Sequence, residues 1–295
     1  MHGVTNTIIH DGGRSWIPIA LLLAVPLVTA YPAAASTLRA PGFTWGEIRY
    51  PSSEQPIERD NLLIEGALDQ GLDVAKLSER TRVNLFGRLN YKADTEELDY
   101  NNKLAIGAGV RLLHQVTDSA VVGAGLRYEV DHRFRSGQNL DGVTLFLNGF
   151  ASWQLNCRLC SEGSVLNGRP LPGLIWAELR SPASHDPTEN DDVLLEGAME
   201  QGIDWMAIGD RGALNTFVHL GLKADTQGLD YYRSVTGGLG IKLKLAAGRN
   251  GLVQIGAKYT ADHRWETGAT EHLASIFLNW STSWDALIRR QDLPR

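Results

Sequence analysis

Adding 131 to a residue number in the first half of this chain finds its counterpart in the second, and no gap is needed anywhere. Trp45, Glu47 and Arg49 return as Trp176, Glu178 and Arg180, and Glu65-Gly-Ala67 returns as Glu196-Gly-Ala198. Lys92-Ala-Asp-Thr95 returns as Lys223-Ala-Asp-Thr226, Asp131-His-Arg133 as Asp262-His-Arg264, and Trp153 as Trp284. A duplication in which even the connections keep their lengths predicts two copies of one fold related by a pseudo-twofold axis.

Within each copy the apolar residues recur with a period near two, which is the signature of strands. Val122, Ala124, Leu126, Tyr128, Val130, His132 and Phe134 fall on one face, and Gly123, Gly125, Arg127, Glu129, Asp131 and Arg133 on the other. The segment from Val253 to Trp265 keeps the same parity, and Leu104 to Leu112 sets Leu, Ile, Ala and Val against Lys103, Gly107, Gly109 and Arg111. Six strands per copy are predicted, over approximately 43–50, 61–73, 82–92, 101–112, 120–134 and 142–155, and again 131 residues later. The expected fold is all-β: a single antiparallel barrel of about twelve strands. Its first half is expected over 36–156 and its second over 172–284, with a connecting loop at 157–171 and a tail at 285–295.

The N-terminus reads as an export signal. A polar segment ending at Arg14 precedes the apolar run from Trp16 to Val28, which is shorter than the roughly 20 residues of a transmembrane helix and is broken by Pro18 and Pro26. Ala33-Ala-Ala35 supplies an A-x-A cleavage pattern, so residues 1–35 are expected to be removed, leaving roughly 260. An exported, Gly-rich chain without a second long apolar run is either soluble or crosses a membrane as a closed barrel, because an open sheet edge cannot sit in lipid. The net charge of −6 argues against a nucleic-acid partner. Strands of about ten residues suit a tilted membrane crossing. Trp45, Tyr50, Phe134, Trp153, Trp176, Trp265 and Trp284 near strand ends suit interfacial girdles. A soluble β-sandwich or lipocalin-like barrel is the alternative, and an ending at Leu293-Pro-Arg295 without an aromatic terminus favours it.

Parity assigns a charged lumen face to Glu47, Arg49, Glu65, Asp69, Asp73, Arg88, Lys92, Arg111, Arg127, Glu129, Asp131 and Arg133. In the second copy it assigns Glu178, Arg180, Glu196, Glu200, Asp204, Lys223, Lys242, Lys258, Asp262 and Arg264. Two readings stay open: a ladder of salt bridges that plugs and stiffens the barrel, or a narrow polar conduit or sugar-binding lumen. The repeated Asp-His-Arg suggests acid-base chemistry, but consecutive strand residues face opposite sides, so His132 is expected to point away from Asp131. No G-x-S-x-G or comparable nucleophile is present, so no catalytic residues and no cofactor are expected. The acidic stretches Asp94 to Asp99 and Glu189 to Asp192 suit either solvated loops or sites for calcium or lipopolysaccharide-bridging cations, although no specific metal ligands are assigned. Cys157 and Cys160 suit an inert loop disulfide, with free or metal-binding thiols and redox chemistry as alternatives.

Four of these motifs also carry a resemblance. The W-x-E-x-R strand at Trp45 to Arg49, the E-G-A-x-x-Q-G-x-D strand at Glu65 to Asp73 and the L-D-Y loop at Leu98 to Tyr100 resemble the C-terminal barrel region of phage-adsorption protein A. So does the closing strand that runs from Tyr128 to Gly137 and recurs from Tyr259 to Gly268, and the resemblance spans 43–284. It implies an outer-membrane barrel linked with surface-polysaccharide export or phage adsorption, and it implies no catalytic residues. Nothing in the chain reads as that family's periplasmic helical repeats, so an export partner would be a separate protein. The expected function is therefore a non-enzymatic outer-membrane barrel that contacts outer-membrane lipid and serves a polysaccharide or a periplasmic export component. A small diffusion channel, a lipid-active barrel enzyme and a soluble periplasmic binding domain are the alternatives.

Overall fold

The computed structural model describes residues 37–53, 60–156 and 168–289. The segment read as an export signal, with Cys157 and Cys160, lies outside them. Twelve strands follow one another: β1 (Thr37–Tyr50), β2 (Leu63–Lys76), β3 (Thr81–Asp94), β4 (Lys103–Thr117), β5 (Ala120–Arg133) and β6 (Asn139–Asn156) form the first half. β7 (Pro170–Ser181), β8 (Leu194–Ile208), β9 (Gly212–Asp225), β10 (Ser234–Ala247), β11 (Gly251–Arg264) and β12 (Thr270–Arg289) form the second. Each strand pairs antiparallel with its chain neighbours, and β1 closes on β12 from Thr37↔Arg289 to Tyr50↔Ile276. Closure leaves every strand with two partners, which is what a spanning sheet needs where no water can satisfy an edge.

The ladders are 12 to 20 residues long and outrun the alternating stretches that mark them in the sequence. Alternation ends where lipid contact ends, whereas backbone pairing continues until a turn breaks it. Two boundaries move as a result. Residues 285–289, expected in a tail, continue β12 against Thr37 to Pro41, and Pro170 and Leu171, expected in the connecting loop, open β7 against Asn156 and Leu155. The connections 95–102 and 134–138, with the described parts of 51–62, gather at one end with 182–193, 226–233 and 265–269, and the two sets match pairwise in length. The other end carries the turns 77–80, 118–119, 209–211 and 248–250.

The outer face is apolar and bare. Leu239, Ile276 and Leu145 are 63, 62 and 59 % exposed, and Val143, Ile106 and Val218 are similar. No water-facing surface leaves so continuous an apolar band uncovered, so the band faces lipid and the chain is a membrane-spanning barrel of the outer-membrane type. The soluble alternative fails here, because it needs the apolar face as an internal core. At the turn end Trp153 lies over Gly173 and Trp284 over Gly42, positions where any Cβ would overlap the indole. Their Nε1 atoms donate to Gln201 (2.9 Å) and Gln70 (2.8 Å), an apolar body with a satisfied polar tip as the interface demands. Tyr50, Phe134 and Trp265 are exposed at the loop end. Trp45 and Trp176, expected in the same girdles, face the lumen instead. Strand parity decides the face: Trp45 lies opposite Ala67 and Ser281 and shares its side with Glu47, and Trp176 shares its side with Glu178.

Candidate functional site in the barrel lumen

Curvature brings side chains on the concave side of a barrel together across an intervening strand, and the charged face makes many such contacts. Arg111 of β4 reaches Asp69 of β2 with two bonds (2.7 and 3.1 Å), and Lys242 of β10 reaches Glu200 of β8. Arg127 of β5 reaches Glu178 of β7 (3.1 and 3.3 Å), and Lys258 of β11 reaches Glu47 of β1 at 3.6 Å. Arg88 of β3 comes within 3.9 Å of Glu178 from across the lumen. The Arg127–Glu178 and Lys258–Glu47 ties are related by the offset of 131, so a cation of each half is paired with a carboxylate on the first strand of the other. These ties clamp the two halves face to face.

The remaining charged positions form shorter bridges. Arg127 also donates to Glu129, while Arg49 lies 3.2 Å from Glu47 and 3.4 Å from Glu65. Arg180 bridges Glu178 and Glu196, and Lys103 donates to Asp131 at 2.8 Å. Towards the loops, Arg133 meets Asp186 (3.1 Å) and Asp99 (3.8 Å), Arg264 meets Asp230 and Glu271 (both 3.1 Å), and Thr236 donates to Asp262 at 2.6 Å. His132 and His263 sit on the outer face at the loop end, bonded to Asn139 (2.8 Å) and Thr270 (3.0 Å), so neither imidazole meets its neighbouring aspartate.

Four lumen residues lay unnoticed in the sequence. Phe86, Phe146, Phe217 and Phe277 are 4, 3, 6 and 5 % exposed. Phe86 and Phe146 meet edge to face at 5.8 Å, as Phe217 and Phe277 do at 6.1 Å. Each ring is capped by a cation: Arg111 over Phe86 (4.3 Å), Arg127 over Phe146 (5.1 Å), Lys242 over Phe217 (4.4 Å) and Lys258 over Phe277 (5.5 Å). Parity does reveal them, since Phe86 stands in the polar series Arg82, Asn84, Arg88, Asn90. Gly109 and Gly240 make room for the rings: a Cβ there would lie 2.9 Å from Phe86 and 2.5 Å from Phe217. Two clusters of ring, cation and carboxylate therefore pack the middle of the lumen, with Arg127 and Lys242 buried inside them.

The packing is unequal. Where the first half has Arg88, Asn90, Arg127 and Glu129, the second has His219, Gly221, Lys258 and Thr260. A cavity of about 270 Å³ opens on that side, lined by Trp45 and Trp176 with Glu47, Glu200, His219 and Lys258 among others.

At the loop end, connection 182–193 folds back over the lumen mouth. His185 lies against Gly142 and meets Thr144 at 3.3 Å, and burial pushes its imidazole below the ordinary range. The Asp186 carboxyl is held low by the backbone amide and then the hydroxyl of Thr188, with Arg133 adding to them. Tyr231 and Tyr232 both donate to Glu189, and burial first, then that carboxylate, pushes their phenols well above the usual range. Asp94 is caged by the amides of Asn61 (2.8 Å), Asn101 (2.8 Å) and Asn102 (2.6 Å). The acidic stretches thus spend Asp94, Asp186 and Glu189 on organising loops, and no group of three or more metal-ligating side chains comes together among the described residues.

No protein-family model and no curated protein matches this chain. Among solved structures, the β domain of the Bordetella autotransporter BrkA aligns at 13 % identity and TM-score 0.38, covering 84 % of this chain and 99 % of its own. A bacterial polysaccharide outer-membrane secretin aligns at 10 % and 0.41, covering 83 % and 97 %. An outer-membrane channel from Pseudomonas putida F1 aligns at 10 % and 0.41, covering 87 % and 98 %. Similarity at this level is silent about ligand and partner, so the functional reading rests on the lumen.

Proposed function

We propose that this chain is a non-enzymatic outer-membrane barrel serving a cell-surface polysaccharide, as a gated export component or a phage-adsorption-type receptor. The observation that carries this reading is the packed mid-lumen. A passive diffusion channel needs a continuous aqueous path, whereas here buried Arg127, Glu178 and Lys242 and four phenylalanines occupy the middle of the barrel. What remains for such a barrel is to display its loops, or to open only when engaged. A lipid-active enzyme is disfavoured by the same geometry, because His132 and His263 are bonded to Asn139 and Thr270 at the outer rim and Asp131 is spent on Lys103.

The decisive experiment is planar-bilayer recording of the purified barrel beside surface-polysaccharide staining of a deletion strain. A silent trace and an altered surface coat are expected. Steady ohmic conductance at rest would return the passive channel to first place, and an unchanged coat would remove the polysaccharide.

A further inference from the structure

We propose that the cavity on the second-half side of the lumen is a binding site for a neutral pyranose ring. This rests on the polysaccharide reading above and narrows it to one site and one charge class. The argument begins with the cavity's origin. Its counterpart in the first half is filled by Arg88, Arg127 and Glu129, while His219, Lys258 and Thr260 at the matching positions are shorter. The same backbone and the same strand pairing thus hold a filled side and an open side.

The walls match a sugar. Trp45 and Trp176 are 37 and 40 % exposed towards the lumen, while the four phenylalanines nearby are nearly fully covered. Bare indole surface inside a barrel is a flat apolar platform, which the C–H face of a pyranose covers while its hydroxyls point sideways to polar groups. Polar groups stand there. Asn279 lines the cavity, and its buried Oδ1 has no hydrogen-bond partner, so a small turn of this amide would offer a sugar hydroxyl an acceptor. The charges at the wall are already matched, Glu47 by Lys258 and Glu200 by Lys242. A charged ligand would enter uncompensated, at the cost of burying an unpaired charge, and a neutral one would not. The volume of about 270 Å³ stands just below the ~300–1,000 Å³ of ordinary ligand pockets, so the occupant is one or two rings of a chain and no more.

The test is calorimetric titration of the full chain, extracted in detergent, with cellobiose, N,N′-diacetylchitobiose and digalacturonate. Saturable binding of at least one neutral disaccharide is expected, with digalacturonate at least tenfold weaker. Trp176→Ala should weaken the neutral ligand at least tenfold. His219→Arg should do the same, because it installs at the cavity the residue that fills the matching place in the first half, where the fold already accommodates it. An unshifted unboiled band on electrophoresis verifies that each variant is folded. The site is overturned if neither neutral disaccharide binds, if His219→Arg binds as well as the parent chain, or if digalacturonate binds tightest. Absent binding beside a silent bilayer and an altered coat overturns the site alone. Conductance or an unchanged coat, with binding intact, overturns the functional reading and leaves the site.

Discussion

One buried oxygen at the loop end permits a prediction with a built-in control. Asn61 and Asp192 are offset by 131 and neither is exposed to solvent. Asn61 Oδ1 accepts from the amide and hydroxyl of Thr95 and the amide of Glu96 (3.0, 3.1 and 3.3 Å), and Asp192 Oδ1 accepts in the same way from Thr226 and Gln227 (2.9, 2.8 and 3.2 Å). With one oxygen pinned identically, the second atom of each side chain points the same way. In the first half that atom is Asn61 Nδ2, donating to Asp94 at 2.8 Å; in the second it is Asp192 Oδ2, which has no partner, on the side of the buried Asp225 carboxylate. Asp192→Asn restores the missing donor. A hydrogen bond to a charged acceptor contributes about 1.5–3 kcal/mol, and relief of the unsatisfied oxygen acts in the same direction. A local gain of about 2 kcal/mol corresponds to roughly 30-fold slower opening. Amide hydrogen exchange at Thr226 and Gln227 reads it directly, since loop amides exchange by local opening. The mirror substitution, Asn61→Asp, should speed exchange at Thr95 and Glu96 by at least as much. Unchanged or faster exchange in Asp192→Asn would refute the reasoning, because the second half would then be satisfied as it stands.

Three further outcomes follow from the lumen and its mouth. Arg127→Ala leaves buried Glu129 without its cation and strips Glu178 of its two-bond partner, leaving it only the longer contacts to Arg180 and Arg88, and should cost about 3–5 kcal/mol, seen as a lower temperature for conversion to the heat-modified band. Lys258→Ala, whose ion pair is longer and more exposed, should cost less, and the reverse order would contradict the packing described. Gly109→Ala should destabilise by about 1–3 kcal/mol, because its Cβ would overlap the Leu126 carbonyl oxygen and meet the Phe86 ring at 2.9 Å, and a neutral effect would show that strand and ring can both give way. Burial depresses the His185 imidazole, so its contribution is present above the ordinary value of about 6.5 and is lost as pH falls through the depressed one. Protection of the Ala183 amide, which donates to the Asp192 carbonyl, measured against its intrinsic exchange rate, should therefore fall as the pH drops below the ordinary imidazole range in the parent chain and not in His185→Gln. Identical profiles would remove His185 from the account.

Period-two alternation makes the two faces of each strand legible, because a one-residue slip would exchange lipid-facing leucines for lumen-facing arginines. The partners are another matter. Arg111 and Asp69 are 42 residues apart and Arg127 and Glu178 are 51, and only closure of the sheet tells which cation meets which carboxylate. Trp45 and Trp176 misled for a related reason: proximity to a strand end suggested a girdle, although their parity with Glu47 and Glu178 already placed them inside. The ends of β7 and β12 were hidden because pairing near the rim is held by backbone bonds that leave no hydrophobic pattern.

The inequality between the two sides follows from a few exchanges that change shape, two of which, Arg111 to Lys242 and Arg127 to Lys258, keep the charge. Arg111 grips Asp69, and Arg127 grips Glu178, through two bonds each from a planar fork, which fixes direction as well as distance. At the matching positions Lys242 and Lys258 are point charges on flexible stems, able to turn towards more than one acceptor; Lys242 already lies within 3.4 Å of Gln254 besides Glu200. Arginine together with Arg88 and Glu129 makes the first side a fixed wall. Lysine together with His219 and Thr260 makes the second side a looser one beside open volume. A barrel packed this way would not dilate evenly. The room for a ligand lies on the side of β7 to β12 and β1, where the cations can shift without leaving their carboxylates unpaired.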